Sequence, residues 1–273
     1  MLKKNERQHA ETFFRIKNMN QTKYRIGKVH ISVTNPVDAQ ERITQAALDG
    51  KGGYVCVSNM RMIRYAGKHA DYAALMEKSM MNLPDGKPLS WLGRLWGIKG
   101  IVCTNGPELF KAMLGKGNSG LKHYLLGDTE DVIEQIKKLN SESFHADIVG
   151  AESLPFANVD EFDYDGIANR VNSSGANVVW TAMRAPKQDE FDQRLSTQTP
   201  NAVCVGVGRA FRLLTGDVKQ APQWAQKMGV AGIFTRKVSL AKALEWYFET
   251  FFFLIGYSVK ILWLRLRGRS CNE

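Results

Sequence analysis

The stretch YVCVSNMRMI, Tyr54 to Ile63, decides the fold, because a short apolar run ends in two small polar residues and a helical pattern follows. Tyr54–Val57 is uniformly apolar and rich in valine, which is typical of a strand buried on both faces. Ser58 and Asn59 either cap the helix that starts at Met60 or hydrogen-bond a ligand at the end of the strand. A buried strand that leads straight into a helix predicts one βα unit of a parallel sheet.

The same alternation continues along most of the chain. The other predicted strands are Val29–Val33, Gly100–Thr104, His123–Leu126, Asp147–Val149, Asn177–Trp180 and Ala202–Val207. The predicted helices are Asp38–Leu48, Met60–Met81, Pro107–Leu114, Asp131–Leu139, Tyr164–Ser173, Lys187–Leu195 and Arg209–Leu214. This order predicts an α/β fold with a Rossmann-like, mostly parallel sheet flanked by helices. Ligands of such sheets bind beyond the carboxyl ends of the strands, so we expect the site in the loops after Val57, Leu83, Thr104, Leu126, Trp180 and Val207.

Length and charge suggest one domain with an appendage and an anionic partner. The 273 residues suffice for a large α/β domain, and we place a polar arm at 1–25, the domain at 26–235 and an appendage at 236–273. The net charge of +10 attracts anionic partners. No DNA- or RNA-binding motif is visible, so no nucleic-acid partner is expected.

The appendage is basic and aromatic, which favours a membrane surface as the partner. It holds seven Lys and Arg against three Asp and Glu. Glu249 and Lys260 enclose only ten uncharged residues, fewer than the roughly 20 needed to span a bilayer. We therefore expect an interfacial or partly inserted helix, with a spanning helix and a core or oligomer-interface helix as alternatives. The side chains expected at the membrane are Trp246, Tyr257, Trp263, Arg265, Arg267 and Arg269.

Cysteine, histidine and aspartate patterns argue against disulfides and metals. The four cysteines form no CxxC pair, which indicates reduced thiols in the cytosol, and the charged N-terminus has no apolar signal core. The five histidines lack metal-ligand spacing. Asp163-Tyr164-Asp165 spells DxD, which binds a metal diphosphate in many sugar transferases, but here it begins a helix. We expect neither a metal nor another cofactor.

Three further motifs offer polar groups at predicted strand ends. In LPDGKPLSWLGRLWG, Leu83–Gly97, Asp85 is either a helix cap or a base that deprotonates an acceptor hydroxyl. In APKQDEF, Lys187, Gln188 and Asp189 either hold a ligand or simply start a helix. In VCVGVGRAFRLLTGDVKQAP, Gly206 and Gly208 either cradle a phosphate or only allow a close turn.

Taken together, these motifs resemble the WecG/TagA/CpsF glycosyltransferases, glycosyltransferase family 26. The resemblance runs from about Ile26 to Pro222. It is carried by YVCVSN, LPDGKPLSWLGRLWG, NGPELF, KHYLLGDTEDV, APKQDEF and GVGRAFRLLTGDVKQAP, in this order and spacing.

The resemblance implies an inverting, metal-independent transfer from a UDP-sugar, such as UDP-N-acetylmannosamine or UDP-glucose. The implied acceptor is a sugar on polyprenyl diphosphate, classed with cell-surface polysaccharide biosynthesis. It further implies a peripheral protein on the cytoplasmic face of the bacterial inner, or plasma, membrane. Asp85 matches the family's proposed base, while Asn59 and Gln188 match its motif residues. The membrane-touching appendage is also a family feature.

From this resemblance we expect Asp85 to be catalytic, and seven other residues to bind substrate. These are Ser58, Asn59, Gln188, Asp189, Gly206, Gly208 and Arg209, with Arg212 and the C-terminal arginines as further candidates for the leaving diphosphate. The sequence leaves open whether copies of the chain associate as a homo-oligomer.

Several positions depart from the family pattern. Val57 stands where many members have Thr, Cys103 where many have Arg, and Arg184 where a Gly precedes the PKQ segment. Residues 230–232 read Val-Ala-Gly in place of Leu-Glu-Trp. These departures motivate an alternative, a catalytically weakened membrane-bound scaffold of the same fold. A soluble dehydrogenase is a third interpretation, but no GxGxxG follows the first strand.

Overall fold

The computed structural model describes residues 22–117, 119–222, 225 and 240–270. The strands are β1 Lys23–Ile26, β2 Val29–Ser32, β3 Gly53–Ser58, β4 Met81–Pro84, β5 Lys122–Gly127, β6 Asp147–Glu152, β7 Val178–Ala182 and β8 Val203–Gly206. The α-helices are α1 Pro36–Leu48, α2 Met60–Lys68, α3 Ala70–Lys78, α4 Lys87–Leu95, α5 Gly106–Leu114, α6 Glu130–Leu139, α7 Tyr164–Ser174, α8 Lys187–Gln198, α9 Ala210–Thr215 and α10 Leu240–Leu266. A π-helical turn at Asn140–Phe144 and a 3₁₀ turn at Val159–Glu161 complete the regular structure of these residues.

Six of the strands form one sheet in the order β4-β3-β8-β7-β5-β6. Every neighbouring pair is parallel, so all carboxyl ends meet at one edge. The central strands are continuous apolar runs such as VCVG in β8, which is buried throughout. This confirms the predicted α/β fold, since a sheet covered by helices on both faces requires such strands.

Two apolar cores lie on the two faces of the sheet. Strand β3 contributes Tyr54 and Cys56 to one core and Val55 to the other, as alternation along a strand requires. The first core receives the buried faces of α2, α3, α4, α7 and α8. The second receives those of α1, α5, α6 and α9, with Phe110 and Phe211 packed 5.0 Å apart between ring centroids.

Two element predictions between Met60 and Thr104 are wrong. Met60–Met81 is not one helix, because the chain leaves helical geometry at His69 (φ −121°, ψ 103°) and then forms α3 and β4. Gly100–Thr104 is not a strand of the sheet; the Val102 N–H donates to the carbonyl of Thr34 instead. Strand β4, which was not predicted, forms one edge of the sheet, and an edge tolerates Pro84.

The predicted strand Val29–Val33 forms β2, but it lies outside the parallel sheet. It pairs in an antiparallel hairpin with β1 across a turn at Gly27. Residues 1–21 of the predicted polar arm lie outside the described residues, and Lys23–Arg25 belong to β1. The hairpin packs with the first core through the fully buried Tyr24 and Ile26.

The appendage contains one long helix, α10, that lies along the domain. Arg64 pairs with Glu249 near its start, and Arg265 donates to the carbonyl of Leu95 (2.7 Å) near its end. Between them the hydroxyl of Tyr257 accepts the Gly27 N–H (2.9 Å). The segment Tyr247–Leu266 is long and apolar enough, by length and composition, to cross a membrane. In this structure, however, crossing a bilayer would require all three contacts to break.

Candidate active site

Backbone hydrogen bonds draw several loops together at the carboxyl edge of the sheet. The Asp85 N–H donates to the carbonyl of Ser58 (2.8 Å), which joins the loops after β4 and β3. The Thr104 N–H donates to the carbonyl of Pro84 (2.8 Å). A Cβ added to Gly106 would lie 3.0 Å from the backbone of the loop after β8. Predicted site residues from three adjacent strands therefore share one edge.

Asp85 stands on a tight turn that is held from both sides. Gly86 has φ +88°, a left-handed value that favours glycine, and its N–H donates to Cys103 Sγ (3.1 Å). The Asp85 side chain is half-buried, and α4 begins two residues later at Lys87. Burial raises the pKa of the Cys103 thiol to about 12, and the charge of Asp85 adds to the rise. Cys103 is thus a neutral acceptor beside the carboxylate.

Ser58 and Asn59 have different roles at the end of β3. Asn59 Oδ1 accepts hydrogen bonds from the N–H groups of Arg61 (3.1 Å) and Met62 (3.3 Å). Asn59 therefore caps α2, which was one of the two roles considered for it. The hydroxyl of Ser58 is buried and has no hydrogen-bond partner among the described residues. A buried polar atom without a partner is uncommon, which makes this hydroxyl a candidate ligand contact.

Gln188 is a clamp for two loops. Its Oε1 accepts the N–H of Met183 (3.1 Å) after β7 and the N–H of Gly208 (2.8 Å) after β8. Gly208 has φ +60°, and a Cβ added to Gly206 would lie 2.3 Å from Gln188 Nε2. The structure therefore brings Gln188, Gly206 and Gly208 together as one tightly packed turn.

Asp189 lies on the opposite side of α8, inside the first core. Its carboxylate accepts a hydrogen bond from the hydroxyl of Tyr72 on α3, and only 3% of the residue is exposed. Burial raises the pKa of Asp189 to about 7, although the Tyr72 hydrogen bond opposes the rise. Asp192, one turn later, accepts from Thr181 Oγ1 (2.9 Å) and is also buried. Asp189 supports α8 from behind and does not face the converging loops, whereas Asp192 Oδ2 lies 2.8 Å from the position of a Cβ added to Gly206.

The predicted diphosphate cations are partly engaged by the protein. Arg212 on α9 makes a forked ion pair with Asp128, with Nη2 to Oδ1 at 2.7 Å and Nε to Oδ1 at 2.9 Å. Asp128 follows β5 in a left-handed conformation, φ +62°. Arg209 occupies the N-cap position of α9 without a capping hydrogen bond from its side chain, and it has an interaction of its own. Both arginines therefore already interact with the protein, and binding a ligand would compete with those interactions.

Sequence reasoning missed an aromatic group at the same edge. The side chain of Phe156, in the loop after β6, is fully exposed. Lys187 Nζ lies 5.6 Å from its ring centroid and donates to the carbonyl of Ala157. The signal was present, because this loop follows the predicted strand Asp147–Val149, but it is not among the loops expected to form the site.

The DxD segment is a helix start, as its position indicated. Asp163 Oδ1 accepts the Gly166 N–H (2.9 Å) as the cap of α7. Within the described part of the chain, no three His, Cys, Asp or Glu side chains are grouped as metal ligands.

The outer face of α10 is a continuous apolar stripe. Its exposed members are Phe248, Phe251, Phe252, Ile255, Val259, Leu262, Trp263 and Leu266. Among the predicted membrane residues, Trp263 belongs to this stripe, with Arg267 stacked 3.7 Å from its ring centroid, and Arg269 is exposed nearby. Tyr257 and Arg265 face the domain instead. The side chain of Trp246 lies outside the described residues.

Known proteins resemble this chain over most of its length. The model of the Glycosyl transferase WecG/TagA/CpsF family matches residues 24–248. An N-acetylglucosaminyldiphosphoundecaprenol N-acetyl-beta-D-mannosaminyltransferase of Bacillus subtilis (strain 168) is 27% identical over 213 residues, which cover 77% of this chain and 80% of that protein. The match agrees with the motif order found in the sequence and with the parallel sheet. The chain belongs to the WecG/TagA/CpsF family of glycosyltransferases.

Proposed function

We propose that this glycosyltransferase moves a hexose or N-acetylhexosamine, of the N-acetylmannosamine or glucose type, from a UDP-sugar to a sugar on polyprenyl diphosphate. The transfer inverts the anomeric centre and takes place at the cytoplasmic face of the bacterial plasma membrane. One observation carries the proposal: the Asp85 turn is hydrogen-bonded to the end of β3, which pairs with β8 and its glycine turn. A carboxylate and a glycine turn at the ends of two strands that flank β3 suit a base and a site for the nucleotide leaving group.

The proposed reaction is a single displacement. Asp85 takes the proton from an acceptor hydroxyl while that oxygen forms a bond to the anomeric carbon of the donor. The bond from this carbon to the diphosphate breaks, and its electron pair leaves with UDP. The rigid turn at Gly86 supports this role, because a general base must be held within hydrogen-bond reach of the attacking oxygen.

The donor site is supported by the clamp and by the exposed aromatic ring. Gln188 fixes the Gly208 turn, where a backbone without side chains allows a diphosphate to approach closely. The exposed ring of Phe156 offers a stacking surface for the uracil base, and stacking of a base on an aromatic side chain contributes roughly 1–3 kcal/mol in nucleic-acid binding. Lys187 links the two, since it touches the Phe156 loop and starts the helix that carries Gln188.

The lipid-linked acceptor is supported by the helix α10 and by the relative. The name of the B. subtilis relative describes an acceptor carried on undecaprenol through a diphosphate. The apolar stripe of α10, with Lys260, Arg267 and Arg269 on the same helix and its end, suits the interface of an anionic membrane. A lipid tail of this kind stays in the bilayer, so the enzyme must lie at its surface.

The test is transfer from a panel of UDP-sugars to polyprenyl-diphosphate-linked acceptors, with a chelator present. We expect one donor to be used, and Asp85→Asn to keep UDP binding while turnover falls by about 100-fold or more. Asp165→Asn is the matched control, because Asp165 is an exposed carboxylate in the first turn of α7 and the cap of that helix is Asp163.

Full turnover of Asp85→Asn would refute its role as the base. UDP-sugar binding without transfer to any acceptor would favour the catalytically weakened scaffold. That alternative was suggested by departures from the family pattern such as Cys103 in place of an arginine. Loss of transfer on chelation would refute a metal-independent reaction.

A further inference from the structure

The cationic side chains around the converging loops differ in whether they already make hydrogen bonds or ion pairs within the protein. Arg61 donates to the carbonyl of Ala185 (3.1 Å), and Arg212 is paired with Asp128. Lys187 donates to a carbonyl of the Phe156 loop. These groups hold loops together, so binding a ligand with them would require breaking protein contacts.

Arg184 is different. It follows β7 at the carboxyl edge and is exposed. Within the described part of the chain, no hydrogen bond or ion pair of its guanidinium is found, whereas its backbone carbonyl accepts the Gln188 N–H (3.0 Å). An unpaired arginine that starts from a fixed backbone can offer its planar fork to a phosphate at little conformational cost.

The backbone just before Arg184 is tied to the glycine turn. The N–H of Met183 and that of Gly208 bind the same oxygen of Gln188. A Cβ added to Gly208 would lie 3.6 Å from the carbonyl oxygen of Met183. The stem of Arg184 therefore emerges next to the turn that a diphosphate can approach.

The leaving group of the proposed reaction creates the need for a cation at the glycine turn. The departing UDP gains negative charge, and a reaction without a metal must stabilise that charge with cations and backbone N–H groups. We propose that Arg184 binds the diphosphate of the donor and stabilises the leaving group. This inference rests on the proposed UDP-sugar donor.

Lys87 is the competing cation. It opens α4 two residues after Asp85, and no hydrogen bond or ion pair of its ammonium is found among the described residues. Its place beside the base puts it on the acceptor side of the reaction, since an inverting displacement holds base and leaving group on opposite faces of the sugar. A comparison of the two variants therefore locates the donor diphosphate.

The experiment is calorimetric binding of UDP, UMP and uridine to the full chain and its variants. Arg184→Ala should weaken UDP binding by about tenfold or more, UMP binding less, and uridine binding not at all. Arg184→Lys should restore part of the loss, and the dependence of UDP affinity on salt should be shallower in Arg184→Ala. Lys138→Ala removes an exposed charge from the last turn of α6 and serves as the control. Thermal melting checks that each variant is folded.

Four results would overturn the inference. Arg184→Ala could bind UDP within twofold of wild type, or lose uridine as strongly as UDP, which would indicate a damaged site. Lys87→Ala could instead be the variant that loses UDP. If the wild-type protein does not bind UDP, both the proposed UDP-sugar donor and this inference are wrong. A wild type that binds UDP beside an unaffected Arg184→Ala refutes the inference alone.

Discussion

At the scale of single residues, Gly206 explains why the turn after β8 tolerates so little change. Its missing side chain lets Gln188 Nε2 and Asp192 Oδ2 approach to 2.3 and 2.8 Å from where a Cβ would stand. Neither neighbour can retreat easily, because Gln188 Oε1 is held by two backbone N–H groups and Asp192 accepts from Thr181. Close packing here, and not backbone conformation, requires the glycine.

Gly206→Ala should therefore destabilise the protein and weaken UDP binding together. We expect a loss of about 1–3 kcal/mol in the free energy of unfolding, because the added methyl group overpacks a rigid site. Denaturant unfolding and calorimetry measure the two effects. Gly67→Ala is the control, since that glycine lies in α2 with no heavy atom within 4 Å of an added Cβ. Unchanged stability and UDP affinity in Gly206→Ala would contradict the clamp.

The sequence indicated which residues gather at the site but not which way each points. Gln188 and Asp189 are adjacent in one motif, yet one clamps the loops and the other is buried against Tyr72. This difference follows from the helical rotation of about 100° per residue and from where α3 packs. The partner of Asp189 is 117 residues away in the chain, so no local pattern could reveal it.

At the scale of elements, the long apolar runs were predictable and the short or mixed segments were not. Strands β3, β5, β7 and β8 are buried on both faces and have a clear apolar signature. Strand β4 has only four residues, MNLP. Its Asn82 can be buried because its side-chain amide donates hydrogen bonds to the carbonyls of His30 (2.9 Å) and Met76 (2.8 Å). A buried amide satisfied by distant carbonyls looks polar in the sequence, which hid the strand.

Helix α10 makes polar contacts with the domain through Glu249, Tyr257 and Arg265, and its outer face is apolar. Replacing Phe251, Phe252 and Leu262 by Ser should lower affinity for anionic vesicles by at least about 100-fold, because three apolar side chains no longer enter the interface. The free energy of unfolding should change little, since these side chains face solvent. Vesicle co-sedimentation and denaturant unfolding make the two measurements.

Leu48→Ser is the matched control for the outer face of α10. Leu48 is an exposed leucine, 51% accessible, at the end of α1 and away from that helix. If the triple variant kept vesicle binding but lost self-association in analytical ultracentrifugation, the stripe would be an interface between copies of the chain and the membrane assignment would be wrong.

At the scale of the whole molecule, stability depends on a neutral histidine in the sheet. His123 is fully buried in β5, and its Nδ1 accepts a hydrogen bond from Trp180 Nε1 (2.9 Å). Burial lowers the pKa of His123 from 6.5 to about 4. Between these values the unfolded chain binds a proton that the folded chain does not, so stability falls as the pH drops from about 6.5 toward 4.

The contribution of His123 to this loss should reach about 3 kcal/mol at pH 4, from the shift between the two pKa values. His123→Gln keeps an acceptor for Trp180 and cannot be protonated, so the stability of the variant should fall less between pH 6.5 and 4.5. Asp189 acts in the opposite direction, because its raised pKa of about 7 favours folding at low pH. It is present in both proteins and cancels in the comparison. If urea unfolding showed the same fall in the free energy of unfolding between pH 6.5 and 4.5 for both proteins, the assignment would be wrong.

The strand order also has a consequence for synthesis on the ribosome. Strand β8 lies between β3 and β7, yet it is the last strand of the sheet to be made. Until residues 203–206 emerge, β3 with β4 and β7 with β5 and β6 are two separate half-sheets, each with an unpaired inner edge of the kind that invites aggregation. A nascent chain stalled before Val203 should therefore need a chaperone. Helix α10 emerges only after the sheet can close, so the domain can fold before its apolar stripe is exposed to the membrane.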